Sequence, residues 1–400
     1  MAIAYARWGA DIEDGALRQM DNACSLPVSV AAALLPDAHQ GYGLPIGGVL
    51  ATDNAVIPYA VGMDIACRMK LSVLDLPPSV LESQPDKLKN ALERETSFGL
   101  GAHFRKPEEH PVMDADWAVS PVTRAGKEKA RKQLGTSGSG NHFVEFGVLS
   151  LERPALLWSH PETAGRHGAE LPAGKYLALL SHSGSRGVGG DVARHYSKLA
   201  AKLRPELSKE LSHLAWLDAD SAEGLEYWAA MELMGEYAAA NHRLIHRKIA
   251  KNLKAQALGD VENHHNFAWR EEHGGREVIV HRKGATPARE GLLGVIPGSM
   301  GTPGYVVRGR GSADSLDSAS HGAGRRMSRN AARETFTARQ MKDFLAERNV
   351  VLLSAGVDEC PMAYKDIDAV MREQRELVDI VARFDPRLVR MADGRERGED

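Results

Sequence analysis

The sequence predicts an α+β fold, a single intertwined domain over residues 1–400 with central β-structure and peripheral helices, and three observations lead there. Strand-like and helix-like segments alternate irregularly, without the strand–helix–strand rhythm of a doubly wound sheet. Neither an internal repeat nor a composition break marks a linker. Gly- and His-bearing polar loops recur along the whole chain instead of gathering in one half. With 400 residues, 43% of them hydrophobic, the chain can bury a large core.

In chain order, Asp14–Ser25 has the apolar spacing of a short amphipathic helix, with Leu17, Met20 and Cys24 on one face. The run LPDAHQGYGLPIGG (35–48) is dense in Gly and Pro and reads as a long functional loop. A strand follows in VLATDNAVI, then the segment VGMDIACRM. Residues 78–95 and 123–134 read as helices, the second a solvated charged surface. The loop GTSGSGNHF enters a strand. YLALLS (176–181) is a strand feeding HSGSRGVG and a helix from about Asp191 to Leu203. A long helical pattern covers about Ser221 to Gln256, followed by NHHNF and the strand VIVHRKGAT (278–286). VVLLSAG (350–356) is a strand, and AYKDIDAVMREQRELVDIVARF reads as a C-terminal helix.

The net charge of −3 excludes a generally basic nucleic-acid coat, so any RNA or DNA site has to be a local patch. Cys24, Cys67 and Cys360 are too few and too scattered for a disulfide framework, which favours a reducing compartment. No charged-then-apolar leader and no membrane-length apolar run is found. A soluble cytoplasmic protein with no membrane partner is the expectation.

Chemistry concentrates in the loops. Asp64 and Cys67 set a hard carboxylate beside a soft thiolate, and His142, His182 and His265 each stand where a loop meets a regular element. One carboxylate, one thiolate and several imidazoles suffice for two divalent ions if the thiolate bridges them. Imidazole suits zinc, iron, nickel and copper, and the carboxylate also admits manganese. Taken singly, a buried small cysteine or a satisfied core histidine is the plainer explanation of each. His264 and His265 are adjacent, and one of the two is expected as ligand. His103, His110, His160, His213 and His273 lie in polar surroundings and are expected at the surface.

Three Gly/Ser loops could present backbone N–H groups to phosphate: HSGSRGVG with Arg186, GSGN (138–141) and PGSMG (297–301). Neither a P-loop nor a dinucleotide fingerprint occurs. The stretch SHGAGRRMSR sets His321 ahead of two glycines and of Arg325, Arg326 and Arg329. That histidine could be a nucleophile toward phosphorus, a proton carrier or a metal ligand.

Taken together, LPDAHQGYGLPIGG, VGMDIACR, GTSGSGNHFVE, HSGSRGVG, HNFA, HRKGAT, IPGSMGT, HGAGRRMSR and DECPMAYKDI resemble, in order, the motifs of RtcB-type RNA ligases, from roughly Pro36 to Ile380. The resemblance implies an RtcB-type fold and an enzyme that joins an RNA 3′-phosphate or 2′,3′-cyclic phosphate end to a 5′-hydroxyl end, with GTP and manganese, in RNA repair or tRNA splicing. It implies that Asp64, Cys67, His142, His182 and His265 hold two Mn2+ ions, Cys67 bridging, and that His321 becomes guanylylated. Asn141, Glu145, Asn266, Lys283, Ser299, Gly322, Ala323, Gly324 and Tyr364 match positions around the guanosine nucleotide. Arg186 matches a residue at the RNA phosphate, and His39, with Asp37 beside it, a loop that processes the RNA end. An archease-type activator is a further implied partner. The chain departs from the pattern at Gly304, where relatives often carry serine, and in its ending MADGRERGED, which lacks a lysine before a final glycine. A dinuclear phosphoesterase and a catalytically impaired RNA-end-binding paralogue are the alternatives. HGAGRRMSR and Lys283 discriminate, since neither alternative needs a nucleophilic histidine among anion-binding loops. Basic character is expected at Arg186, Arg282, Lys283, Arg308, Arg310, Arg325 and Arg326.

Overall fold

The computed structural model describes residues 2–158 and 170–394. Helices and largely antiparallel sheets combine, as α+β requires. The larger sheet runs Leu293–Ile296, Gly304–Gly309, Val378–Met391, Phe143–Leu151, Gly174–Ser183, Arg68–Leu74 and Ala257–His264, each antiparallel to the next. Val351–Ser354 lies parallel beside Val378–Met391. The two ends of this path meet through one side chain. Asn263 Oδ1 accepts from Val295 N at 2.7 Å and Nδ2 donates to Val295 O at 3.3 Å, the pair of bonds a neighbouring strand would supply. The sheet therefore nearly closes.

Period-two alternation gives this sheet two different faces. Met69, Leu71 and Val73 point into an apolar core with Leu149, Leu180, Val261 and Phe384. Arg68, Lys70 and Ser72 point the other way, toward the long helix Ala222–Leu253, yet are also buried. They are satisfied there by Glu262, Asp260 and His246. Ser221 caps that helix, its Oγ accepting from Gly224 N at 3.0 Å.

A five-stranded sheet, in the order Ala6–Arg7, Ser29–His39, Ile46–Thr52, Arg276–Lys283 and Asn266–His273, packs a second apolar core. The chain crosses from one sheet to the other at His265, between Ala257–His264 and Asn266–His273.

Three expectations are corrected. The C-terminal helix is confined to Ile367–Glu373, and VDIVARFDPRLVRM forms the strand Val378–Met391. Its branched residues alternate with polar ones, and pairing on both sides outweighs the helical reading. In the stretch read as a loop, Leu35–His39 completes the strand Ser29–His39, with a register irregularity between Leu34 and His39 that accommodates Pro36. The helix read from Asp191 begins earlier, at Arg186, whose φ of +57° turns the chain out of the strand Gly174–Ser183. His160 lies outside the described residues.

Candidate functional site

Four neighbouring strands of the large sheet end at the same edge, and the ends carry the predicted ligands. His142 precedes Phe143–Leu151, His182 is the penultimate residue of Gly174–Ser183, Cys67 precedes Arg68–Leu74, and His265 follows Ala257–His264. Register puts Phe143 and Met69 on either side of His182, so the four groups converge although they are far apart in sequence.

The turn before Cys67 is held in an unusual conformation. Ala66 has φ +56°, and its N–H donates to Asn266 O at 2.7 Å, while His265 N donates back to Cys67 O at 3.0 Å. Asn266 Nδ2 also donates to Asp64 O, and Oδ1 accepts from Gly284 N at 2.8 Å. Asn266 thereby ties the Asp64–Cys67 turn to the five-stranded sheet.

Two donor groups form, Asp64–Cys67–His142 and Cys67–His182–His265, all buried, with ligand atoms within 4.8 Å of one another and the thiol shared. Cys67 Sγ lies 3.4 Å from His142 Nε2 and 3.0 Å from His182 Nε2, and His182 Nε2 lies 3.2 Å from His265 Nε2. His182 Nδ1 faces Asn141 O at 3.1 Å and donates there, so its Nε2 lone pair points at both the sulfur and the second imidazole. One lone pair cannot serve both; a cation among the three atoms serves all of them. The donor set thus fits a divalent metal at each position. Burial also holds His182 and His265 well below the usual imidazole pKa, keeping the neutral, ligating form. Burial alone would raise the Asp64 carboxyl, but the hydrogen bond from His142 and the charge of Arg186 hold it below the usual carboxylate range.

Arg186 approaches from behind. It is buried, and its Nη2 donates to His142 Nδ1 at 2.9 Å. Since a guanidinium only donates, the His142 ring proton sits on Nε2, 2.9 Å from Asp64 Oδ2, where a cation would take its place. Gly138 makes room for Arg186, because a Cβ there would lie 1.3 Å from Nη1.

His321 stands next to the cluster, its ring centroid 5.0 Å from that of His265. Asp37, fully buried, accepts from His321 Nδ1 at 2.6 Å and from its backbone N at 3.1 Å. The carboxylate fixes the tautomer and leaves Nε2 available. Burial works against the ionised Asp37, yet the His321 contact lowers its pKa. The glycines bring the backbones together: Gly324 has φ +72°, and a Cβ on it would sit 2.1 Å from Asp37 O.

A cavity of about 260 Å³ opens over this assembly. Its walls include all five candidate ligands, His321, His39, Asn141, Asn266, Lys283, Ser299, Gly322–Gly324 and Tyr364. Glu145 and Arg186 are not on the wall. Glu145 is buried in register with Leu180 and Val389, and burial pushes its carboxyl well up. Burial lowers Lys283 to about 7 and His39 to about 4. Met391 reaches the wall, and Gly394 packs against Gly356, so the altered ending MADGRERGED starts at the cavity.

Several arginines expected to give the chain its local basic character are engaged with acidic partners. Arg282 is fully buried, with two 2.8 Å bonds to Glu271, and belongs to the core. Arg325 and Arg329 pair with Asp358 and Glu359. His264 is turned away from the cluster into Phe267 and Trp269, as alternation along a strand demands. His242 and His246, buried on Ser181, stand in no motif, and His281, which opens the HRKGAT run, is buried between backbone groups away from the cluster. In the sequence Asp37 is only the near neighbour of His39; its reach across to His321 assigns it a role.

Among the described residues no helix is long and apolar enough to cross a membrane. A family profile described as tRNA-splicing ligase RtcB matches residues 19–120 and 106–392. The chain is 32% identical over 406 residues to the RNA-splicing ligase RtcB of Escherichia coli K12, covering 93% of each. It is 33% identical over 442 residues to the tRNA-splicing ligase RtcB of Nanoarchaeum equitans, covering 94% of this chain and 91% of the other. To the tRNA-splicing ligase RtcB of Thermococcus kodakarensis it is 30% identical, covering 94% and 90%.

Proposed function

As this chain belongs to the RtcB family of RNA-splicing ligases, we propose that it is a GTP- and manganese-dependent RNA ligase. It joins 3′-phosphate or 2′,3′-cyclic phosphate ends to 5′-hydroxyl ends, in RNA repair or tRNA splicing. One observation carries this reading: an imidazole held by a buried carboxylate, His321 on Asp37, beside two donor groups that share the Cys67 sulfur in one cavity. A dinuclear metal phosphoesterase, which needs no covalent nucleotide, does not require a nucleophilic histidine there.

In this reading Asp64, Cys67 and His142 would hold one Mn2+ and Cys67, His182 and His265 the other, supplying positive charge for phosphoryl oxygens and for acidifying water when bound. Asp37 keeps the His321 proton on Nδ1, so Nε2 attacks the α-phosphorus of GTP. An N–P bond forms as the bond to pyrophosphate breaks, and Asp37 offsets the charge on the ring. An RNA 3′-phosphate oxygen then takes the guanylyl group, freeing Nε2. The 5′-hydroxyl attacks the activated phosphorus and GMP leaves. A cyclic phosphate is opened by water first, with His39 on the same wall. Asn141, Asn266, Lys283, Ser299, Gly322, Ala323, Gly324 and Tyr364, all on the cavity wall, surround the nucleotide; Glu145 and Arg186 lie behind that wall, and Arg186 acts through its bond to His142. We treat residues 1–400 as one catalytic unit, cytoplasmic, with an archease-type activator as a candidate partner.

The test is to incubate protein with Mn2+ and α-phosphate-labelled GTP, denature, and look for covalent label. Label on the wild type, lost in His321→Ala and not competed by ATP, is expected. Label surviving His321→Ala, or none in the wild type, would overturn the reading.

A further inference from the structure

Tyr42 is 65% exposed, although its backbone is pinned. Gln19 clamps Gly41 twice, Nε2 donating to its carbonyl at 2.7 Å and Oε1 accepting its N–H at 3.0 Å. The Gln40 N–H donates to Glu13, and the Lys283 ammonium donates to the Tyr42 carbonyl. Gly43, at φ +69°, lies so close to His213 that a Cβ would stand 2.7 Å from its carbonyl oxygen. The exposed ring is therefore held in place rather than hanging on a loose loop.

Nor is the ring isolated. Its centroid is 5.9 Å from that of His213, nearly edge-on, and Tyr59 packs on the same imidazole at 4.7 Å. Tyr42 and Tyr59 both line the cavity that contains His321 and the donor cluster. Two tyrosines on the cavity wall, with His213 packed between them, thus make an aromatic ledge with the Lys283 amine at its foot. Aromatic faces beside cationic groups are what single-stranded RNA ends use, since every base has a π-face to stack. Tyr364, on the same cavity, is half-buried and already covered by Arg325 at 5.1 Å, whereas Tyr42 stands where a polymer would enter.

Resting on the RNA-ligase reading, we propose that Tyr42, backed by His213 and Tyr59, stacks on a nucleobase next to the RNA end that is joined. The ledge holds the strand while its terminal phosphate lies over the donor cluster, and it does so with little regard for base identity.

The test uses the full chain without metal or GTP and an RNA of about ten nucleotides ending in a 3′-phosphate. 2-Aminopurine is placed in turn at each of the last three positions. Binding to the wild type and to Tyr42→Trp should quench one of these positions. Tyr42→Ala should lose that quench and bind about tenfold more weakly, within the range measured for base–aromatic stacking. An abasic nucleotide at the quenched position should weaken the wild type by a similar factor and Tyr42→Ala no further. Unchanged quenching and affinity in Tyr42→Ala, or two penalties that multiply, would overturn the proposal. So would a Tyr42→Ala variant that quenches normally but loses guanylylation, which would put the ring under guanosine. Quenching reads binding without joining, so a wild type that quenches but never joins ends would count against the ligase reading alone.

Discussion

A histidine attacks phosphorus well only if one ring nitrogen is held protonated and the other is left bare. Asp37 does this for His321 through a buried 2.6 Å contact. Asp37→Asn keeps the shape but not the charge that offsets the developing imidazolium. Guanylylation of His321 should slow by about 100-fold in single-turnover labelling, the scale of one positioned proton partner. An unchanged rate would remove Asp37 from the chemistry. His281 allows a second prediction: Nε2 accepts from Ile57 N at 2.9 Å and Nδ1 faces Leu50 O at 3.1 Å, so only the neutral ring fits. Burial lowers its pKa from 6.5 to about 4. Above pH 6.5 the folded and unfolded rings are both neutral. As pH falls from 6.5 toward 4 only the unfolded ring binds the proton, and stability is lost, up to about 3 kcal/mol. Urea midpoints should fall across that window and less steeply in His281→Gln. Equal slopes would assign the acid sensitivity elsewhere. Neither role was legible in the sequence, because each depends on a partner from a distant strand and no local spacing records it. The ligand identities were legible, because a histidine or cysteine at a loop–strand junction already limits what it can be.

Among the elements, the strand ends govern the site more than any single ligand does. Gly184 packs so closely on Asp64 that a Cβ would lie 2.2 Å from both carboxylate oxygens. Gly184→Ala must displace that carboxylate or the turn beneath it, at a cost of about 1–3 kcal/mol. Metal titration should show affinity at the Asp64–Cys67–His142 position reduced at least about tenfold, with Cys67–His182–His265 less affected. Equal affinity at both would mean the turn simply yields. Element boundaries in the sequence were read well where periodicity was long, as in Ala222–Leu253. They failed where Val378–Met391 follows a real helix without a break, because branched and charged residues there fit either period until the neighbours are known.

At the scale of the whole molecule, the cluster ties four strands and two sheets together, so its occupancy should be visible in global stability. Binding only to the folded state adds about 2.7 kcal/mol at a hundredfold excess over the dissociation constant. Calorimetry should therefore show a lower unfolding midpoint after chelation, restored by Mn2+. Cys67→Ser, which alters the atom common to both groups, should show little restoration. A midpoint indifferent to metal in the wild type would contradict a folded-state metal site. That four junctions share one sheet edge was beyond the sequence, since it follows from strand order alone.

The strand order has a consequence in time as well as in space. Val378–Met391 lies between Gly304–Gly309 and Phe143–Leu151, so one of the last strands to be synthesised separates two earlier ones. During synthesis the halves of the large sheet have no partner at this seam, and each presents an open edge to whatever is nearby. A chain arrested before residue 378 would carry every candidate ligand and His321, yet with that seam unfilled. The ribosome must therefore release nearly all of the sequence before the large sheet can be completed, and until then the nascent protein depends on its surroundings to keep those edges apart.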